Sequence, residues 1–229
     1  MASRPVFIPN PENEGQLVIT KNIEFKWTPG MAKSQKQKNI QALHDSAKQQ
    51  GIQKILEVSS KSMTQNGTQL SALLLEIETV EYGKIFVESA FQGGKVFSNG
   101  TQFTDLFFKT GYEAKTDQRT KDSGPLKAFK FGNVSWSLNP PNAFYDYIYI
   151  SALHQNKNKY KYILEYDGFT DIEFNPKKSI NSQSHACAAY TALTRRGFLE
   201  KALTSKSNFL AHYNQATPNK QTLLSLLSD

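Results

Sequence analysis

The run Ile23-Glu24-Phe25-Lys26-Trp27 alternates three apolar side chains with two charged ones, the period of a half-buried strand. Thr28-Pro29-Gly30 stops it, and the period then changes. Between Ser34 and Gln50 the apolar residues Ile40, Leu43 and Ala47 recur at helical spacing. Ser34 is placed to cap that helix, and Gly51 ends it as a C-cap would.

The remaining punctuation extends the pattern. Residues 5 to 9 and 16 to 27 read as extended, and Ile55 to Val58 as a short strand followed by a polar loop from Ser59 to Gln69. Leu73 to Val80 is extended, and Gly83 turns the chain into a helix beginning near Phe86. Ser98 to Gly132 holds Gly100, Gly111 and Gly124-Pro125 and reads as loop with short helical pieces. Pro140-Pro141-Asn142 opens an aromatic-rich helix, since proline is tolerated in a first turn. Phe144 and Ile148 share one face of it with Ser151, and Tyr145 and Tyr149 another with Ala152; these aromatics read as core. A lysine-rich helix spans Asn156 to Tyr166, and Asn175-Pro176 breaks the chain before a helix from about Ser179 to Arg195. Phe198 to Tyr213 and Gln221 to Leu227 are read as terminal helices. The expectation is α+β: a single compact domain over residues 1–229, predominantly helical, with a small sheet in the N-terminal half.

Apolar residues make up 38% of the 229 and aromatics 12%, enough for a sizeable core. No window approaches the ~18 apolar residues of a membrane span, and no signal-like start is visible. Cys187 is the one cysteine, so no disulfide framework exists, and the four histidines lack ligand spacing. A cytoplasmic, non-membrane protein without metal or cofactor is expected. The net charge of +7 attracts phosphate, although a lysine-rich soluble surface has the same composition.

The densest chemistry lies in Phe86-Val-Glu-Ser-Ala-Phe-Gln-Gly-Gly-Lys-Val-Phe97. Read as a helix, it places Glu88, Gln92 and Lys95 on one stripe beside Val87 and Phe91. Two adjacent glycines cost such a helix roughly 1 kcal/mol each against alanine, so their presence suggests the close approach of a backbone or a ligand. The plain alternative is a surface helix with solvated Glu and Lys.

Glu88-Ser-Ala-Phe-Gln-Gly-Gly-Lys-Val-Phe97 resembles the Glu-His-x-Phe-Gln-x-x-Lys-Phe helix of the NADAR (YbiA-like) family. Leu70-Ser71-Ala72-Leu73 falls where that family carries Phe-Ser-Asn-Phe. The chain is most similar to the branch of antitoxins that accompany DarT-type DNA-modifying toxins. The matches there are Arg4 to Pro9, Gln35 to Lys38 and Phe174 to Asn181. It departs from the family at Ser89, where His is usual, and lacks the late Trp-Gly-Asp-Gly segment.

The resemblance implies hydrolysis of an N-glycosidic bond to a ribose, with ADP-ribosylated guanine in DNA as substrate, ADP-ribose as product and a DarT-type toxin as the cognate partner. Such a reaction builds positive charge at the ribose C1 and asks for a carboxylate beside it. The resemblance puts Glu88 in that role, with Gln92 and Lys95 beside it; Lys95 would pair with Glu88 or hold a phosphate. Asp171 is the candidate second carboxylate, with a turn cap as the equal alternative. Lys36 and Lys38, and Lys177 and Lys178 with Asn175 nearby, are candidates for the pyrophosphate at two expected helix starts. Trp27 and Phe91 are candidate stacking surfaces, more often core, and Ser71 a ligand contact. His185 and Cys187 read as buried helix residues. Two alternatives stay open: an N-glycosidase on a free nucleotide or riboflavin-pathway intermediate, and a non-catalytic module that binds ADP-ribose or nucleic acid.

Overall fold

The computed structural model describes residues 1–12, 15–177 and 179–214. The two periods at the start of the chain become one packing unit. Strands β1 (Ala2–Pro9) and β2 (Val18–Phe25) pair antiparallel, from Ala2 opposite Phe25 to Pro9 opposite Val18. Helix α1 (Lys33–Gln49) covers them, and its Ile40, Leu43 and Ala47 form one cluster with Val6, Ile23 and Phe25. The helix begins at Lys33 with Ala32 as its cap residue, so Ser34 lies inside the first turn and does not cap it.

After β3 (Ile55–Glu57) the polar stretch expected as loop contains a short helix, α2 (Gln65–Gln69), capped by the Thr64 side chain on Gly67 N. A hairpin of β4 (Glu76–Thr79) and β5 (Gly83–Phe86) delivers α3 (Val87–Gly93), and β6 (Lys95–Phe97) follows directly. Next come a 3-10 turn (Thr104–Phe108), α4 (Gly111–Thr116), α5 (Arg119–Asp122), β7 (Leu126–Phe131) and β8 (Val134–Trp136). Helix α6 (Ala143–Gln155) is followed by α7 (Lys157–Tyr160), a second 3-10 turn (Lys161–Glu165) and β9 (Gly168–Thr170). The described chain closes with α8 (Gln183–Arg195), α9 (Leu199–Leu203) and α10 (Lys206–Asn214).

The architecture is α+β with more helix than strand. The largest sheet has the order β2-β1-β9-β3 and takes β9 from the C-terminal half. Phe169 pairs with Phe7 on one side, antiparallel, and with Leu56 on the other, parallel. The β6-β7-β8 sheet lies partly inside the region expected as loop. Its signal was weak because a register shift at Val96/Phe97 breaks the alternation of β7, exposing Lys127 and Lys130 at uneven spacing.

Three further expectations are corrected. The helix begun at Val87 ends at Gly93, so Lys95 starts a strand and does not share a helical stripe with Glu88. The glycine pair admits aromatic rings: a Cβ on Gly93 would stand 2.7 Å from the Phe107 ring, and one on Gly94 2.9 Å from both Phe144 and the Ala90 carbonyl. The helix expected from Ser179 starts at Gln183, because Asn175 folds the preceding residues into turns, accepting Lys177 N at 3.0 Å on its side chain and Ser179 N at 3.0 Å on its carbonyl. The Gln221–Leu227 helix lies outside the described residues.

Helices α6 and α8 pack through the centre of the larger core, where Ile148, Tyr149, Ala152, Ala186, Cys187 and Ala189 are fully buried. Tyr149 donates to the Leu70 carbonyl and lies 3.4 Å from Cys187 Sγ; burial pushes that thiol up to about 12. Among the described residues no helix is long and apolar enough to cross a membrane.

Candidate active site

A cleft of about 1140 Å³ opens between α3, α4, the residues after β3 and the loop after β9. Small-molecule pockets usually run to about 1,000 Å³. A second groove of about 350 Å³, lined by Trp136, Tyr147 and His154, holds none of the candidate residues.

The cleft brings together Glu88, Gln92, Lys95, Phe91, Ser71 and Asp171, and also Asn175 and Lys177. Glu88 stands in the first turn of α3, where a carboxylate is favoured by the helix dipole. Its position is set by the turn before the hairpin: Glu88 N donates to the Ala72 carbonyl at 3.0 Å and Val87 N to Leu75 at 2.9 Å. Gln92, one turn on, donates Nε2 to Glu88 Oε1 at 2.8 Å, so the amide holds the carboxylate in place. The Gln92 side-chain oxygen is buried and has no partner among the described residues. Ser89, standing where the family carries His, donates to the Lys109 carbonyl at 2.8 Å and is fully buried away from the cleft.

Lys95 comes to the same cleft from β6. It makes no direct ion pair with Glu88; its Nζ lies 5.2 Å from the centre of the Phe91 ring. Burial lowers its ammonium pKa, against the pull of the Glu88 charge. Phe91 is 8% exposed and packs against Phe129 and Tyr145 at 5.3 and 5.2 Å, so it is a core ring with one edge on the cleft. Ser71 is 2% exposed at the floor.

Asp171 follows β9. Its Oδ1 accepts the Glu173 amide at 2.9 Å, so it is a turn cap; it also lines the cleft, and the two readings hold together. Burial, then the charge of Glu57, push its carboxyl up to about 7, while the Glu173 amide, Gln183 and Lys115 pull the other way. Gln183 Nε2 donates to Asp171 Oδ2 at 3.0 Å and to the Val58 carbonyl at 2.6 Å, and its Oε1 accepts the Ala72 amide at 2.9 Å. Since Ala72 also accepts Glu88 N, one glutamine joins the segments that carry the two carboxylates. Tyr145 lies with both acids; burial, then the charges of Glu88 and Asp171, hold its phenol well above its usual range, so it stays a donor.

Trp27, Lys36 and Lys38 are not brought to the cleft. Trp27 takes Arg4 and Lys36 over its ring at 5.3 and 5.7 Å. Lys36 pairs with Glu173 at 3.0 Å, and Lys38 is solvent-exposed. Lys177 lies in a loop and not at a helix start, and Lys178 is outside the described residues.

Sequence reasoning missed Tyr145, Gln183, Lys115, Tyr112 and Glu57. Only Glu57 carried a signal, as a lone charge inside the apolar run Ile55-Leu56-Glu57-Val58. Among the described residues no three His, Cys, Asp or Glu side chains are grouped to hold a metal.

A comparison with curated proteins found no match. A family model described as DarT1-associated NADAR antitoxin matches residues 2–222. With nearly the whole length matched, the chain belongs to the family of NADAR antitoxins associated with DarT1.

Proposed function

We propose that this protein removes ADP-ribose from guanine bases of DNA by hydrolysing the N-glycosidic bond, and so reverses the action of a DarT-type toxin. The observation that carries the proposal is a pair of buried carboxylates in one cleft, each held by a glutamine amide: Glu88 by Gln92, and Asp171 by Gln183, with burial and the charge of Glu57 raising Asp171. A carboxyl raised in this way suits the acid, and a second carboxylate beside it the base.

In this reading the bond between ribose C1 and the guanine nitrogen breaks, and its electron pair leaves with the base. Asp171 gives that nitrogen a proton. Glu88 faces the positive charge that builds on the ribose and takes a proton from the attacking water, whose oxygen bonds to C1. Glu88 then gives its proton to solvent and Asp171 takes one back, so the net change is addition of one water. Lys61, Lys115 and Lys177 line the cleft and suit the pyrophosphate. Tyr145 and Ser71 offer hydroxyls to the sugar.

The test is release of ADP-ribose from single-stranded DNA carrying ADP-ribosylated guanine, with wild type and Glu88→Gln side by side. Release by wild type alone is expected. Full activity in Glu88→Gln would remove the role of that residue. No release by wild type would overturn the DNA reading and turn attention to free ADP-ribosyl nucleotides.

A further inference from the structure

Glu57 is 2% exposed and ends β3 directly beside Thr170 of β9. Among the described residues no cation pairs with it. Its Oε1 accepts the Ser59 hydroxyl at 2.6 Å and the Ile172 amide at 2.9 Å, and its Oε2 accepts the Thr170 hydroxyl at 2.7 Å. With Glu57 charged, Thr170 gives it its only proton, and the Thr170 oxygen accepts from His44 Nε2, 2.8 Å away. His44 is therefore the neutral Nε2–H tautomer, and burial takes its pKa to about 4. A buried carboxylate without a cation is a poor device for stability, because desolvation works against it. Its hydrogen-bond partners instead show what it organises. Thr170 and Ile172 are the two neighbours of Asp171, and Glu57 grips both.

We propose that Glu57 is a positioning residue: it holds the Thr170 hydroxyl and the Ile172 amide, on either side of Asp171, and so sets the carboxyl that supplies a proton to the departing base. The inference rests on the glycosidic reading above and deepens it. The groups that face Asp171 are few. Glu57 comes from β3, Gln183 from α8, Lys115 from α4, Tyr145 from α6 and the Glu173 amide from its own turn; Glu88 on α3 shares Tyr145 with it. The one carboxylate among those acting on Asp171 directly is Glu57, which works with burial to raise its pKa. Burial, and the charge of Glu173, raise the Glu57 carboxyl as well, so the two acids hold their protons as a pair; the three donors on Glu57 pull the other way and favour the charge there.

The test is the pH profile of ADP-ribose release from modified single-stranded DNA. In Glu57→Gln the alkaline limb should move down by about one unit, a roughly tenfold loss at pH 8 against less than threefold at pH 6. ADP-ribose affinity should stay within about threefold. Ser59→Ala removes one donor from Glu57, makes it easier to protonate, and should move the limb the same way by less; it serves if Glu57→Gln does not fold. A loss equal at every pH, or an unmoved limb in both variants, would overturn the proposal. Carbon-detected NMR titration of the Asp171 carboxyl reads the same shift without turnover. It separates failure of this inference from failure of the DNA reading, which would show as no release by wild type.

Discussion

Replacing Gly93 with alanine adds one methyl group at a tight point behind the candidate site. Its Cβ would stand 2.7, 2.8 and 3.1 Å from three atoms of the Phe107 ring. Ordinary contact starts near 3.4 Å, so the ring or the helix must move by about half an ångström or more. Phe107 cannot yield freely, since it is 1% exposed, stacked on Tyr82 at 4.3 Å and edge-on to Phe131 at 5.7 Å. Overpacking of this kind costs ~1–3 kcal/mol. The gain in helix propensity is at most ~1 kcal/mol, and less here because Gly93 ends its helix. The net is a loss of about 1–2 kcal/mol, a fall in Tm of roughly 2–8 °C for a chain this size. A shift of α3 also displaces Glu88 and Gln92, so turnover should drop about tenfold or more in a protein that is still folded. Denaturant titration with an unchanged slope checks the first number, and ADP-ribose release checks the second. Phe107→Leu in the same chain should recover part of the stability. Gly93→Ala with wild-type Tm and wild-type turnover would refute the reasoning that close packing fixes this helix.

Other outcomes follow from the same geometry. Asp171 has a folded pKa raised to about 7, so the folded state holds the extra proton between about pH 4 and 7 and loses stability as pH rises through that window. Between pH 5 and pH 8 this amounts to at most ~3 kcal/mol, and Asp171→Asn should flatten that part of the stability curve. Gln183→Ala leaves the Ala72 amide and Asp171 without their partner; it should cost about 1–3 kcal/mol in denaturation and lower turnover about tenfold. His185 is pulled down by burial but raised overall by Asp146, 2.9 Å away. Its contribution is complete below pH 6.5 and lost as pH rises through the higher folded value, so Asp146→Asn should abolish that loss when melts at pH 6 and pH 8 are compared.

Where one residue type left a periodic mark, the fold was legible. Ile23, Phe25, Ile40 and Leu43 announced the strand and helix that now share a cluster. Lys95 was misread because Gly93-Gly94 looked like part of a continuing helix, whereas the helix ends at Gly93 and the two glycines lie against the Phe107 and Phe144 rings. For the cleft, the resemblance pointed to Glu88 and Gln92, and the structure puts both in it with Asp171, from a distant part of the chain. Gln183 could not be read, since its work is done by three hydrogen bonds to residues distant in the chain. Trp27 and Lys36 carried the chemistry of a nucleotide site but spend it on each other and on Glu173.

The single thiol of Cys187 sits sealed between α6 and α8, under the Tyr149 hydroxyl, with almost no thiolate at neutral pH. A thiol-directed reagent can reach it only when those two helices part. Its labelling rate, divided by that of a free cysteine, is therefore the fraction of time the centre of the protein is open, with each factor of ten worth ~1.4 kcal/mol. The chain carries its own clock, readable by mass spectrometry in dilute solution or in a living cell. Slower labelling when a DNA substrate or a toxin is supplied would register binding without any introduced probe.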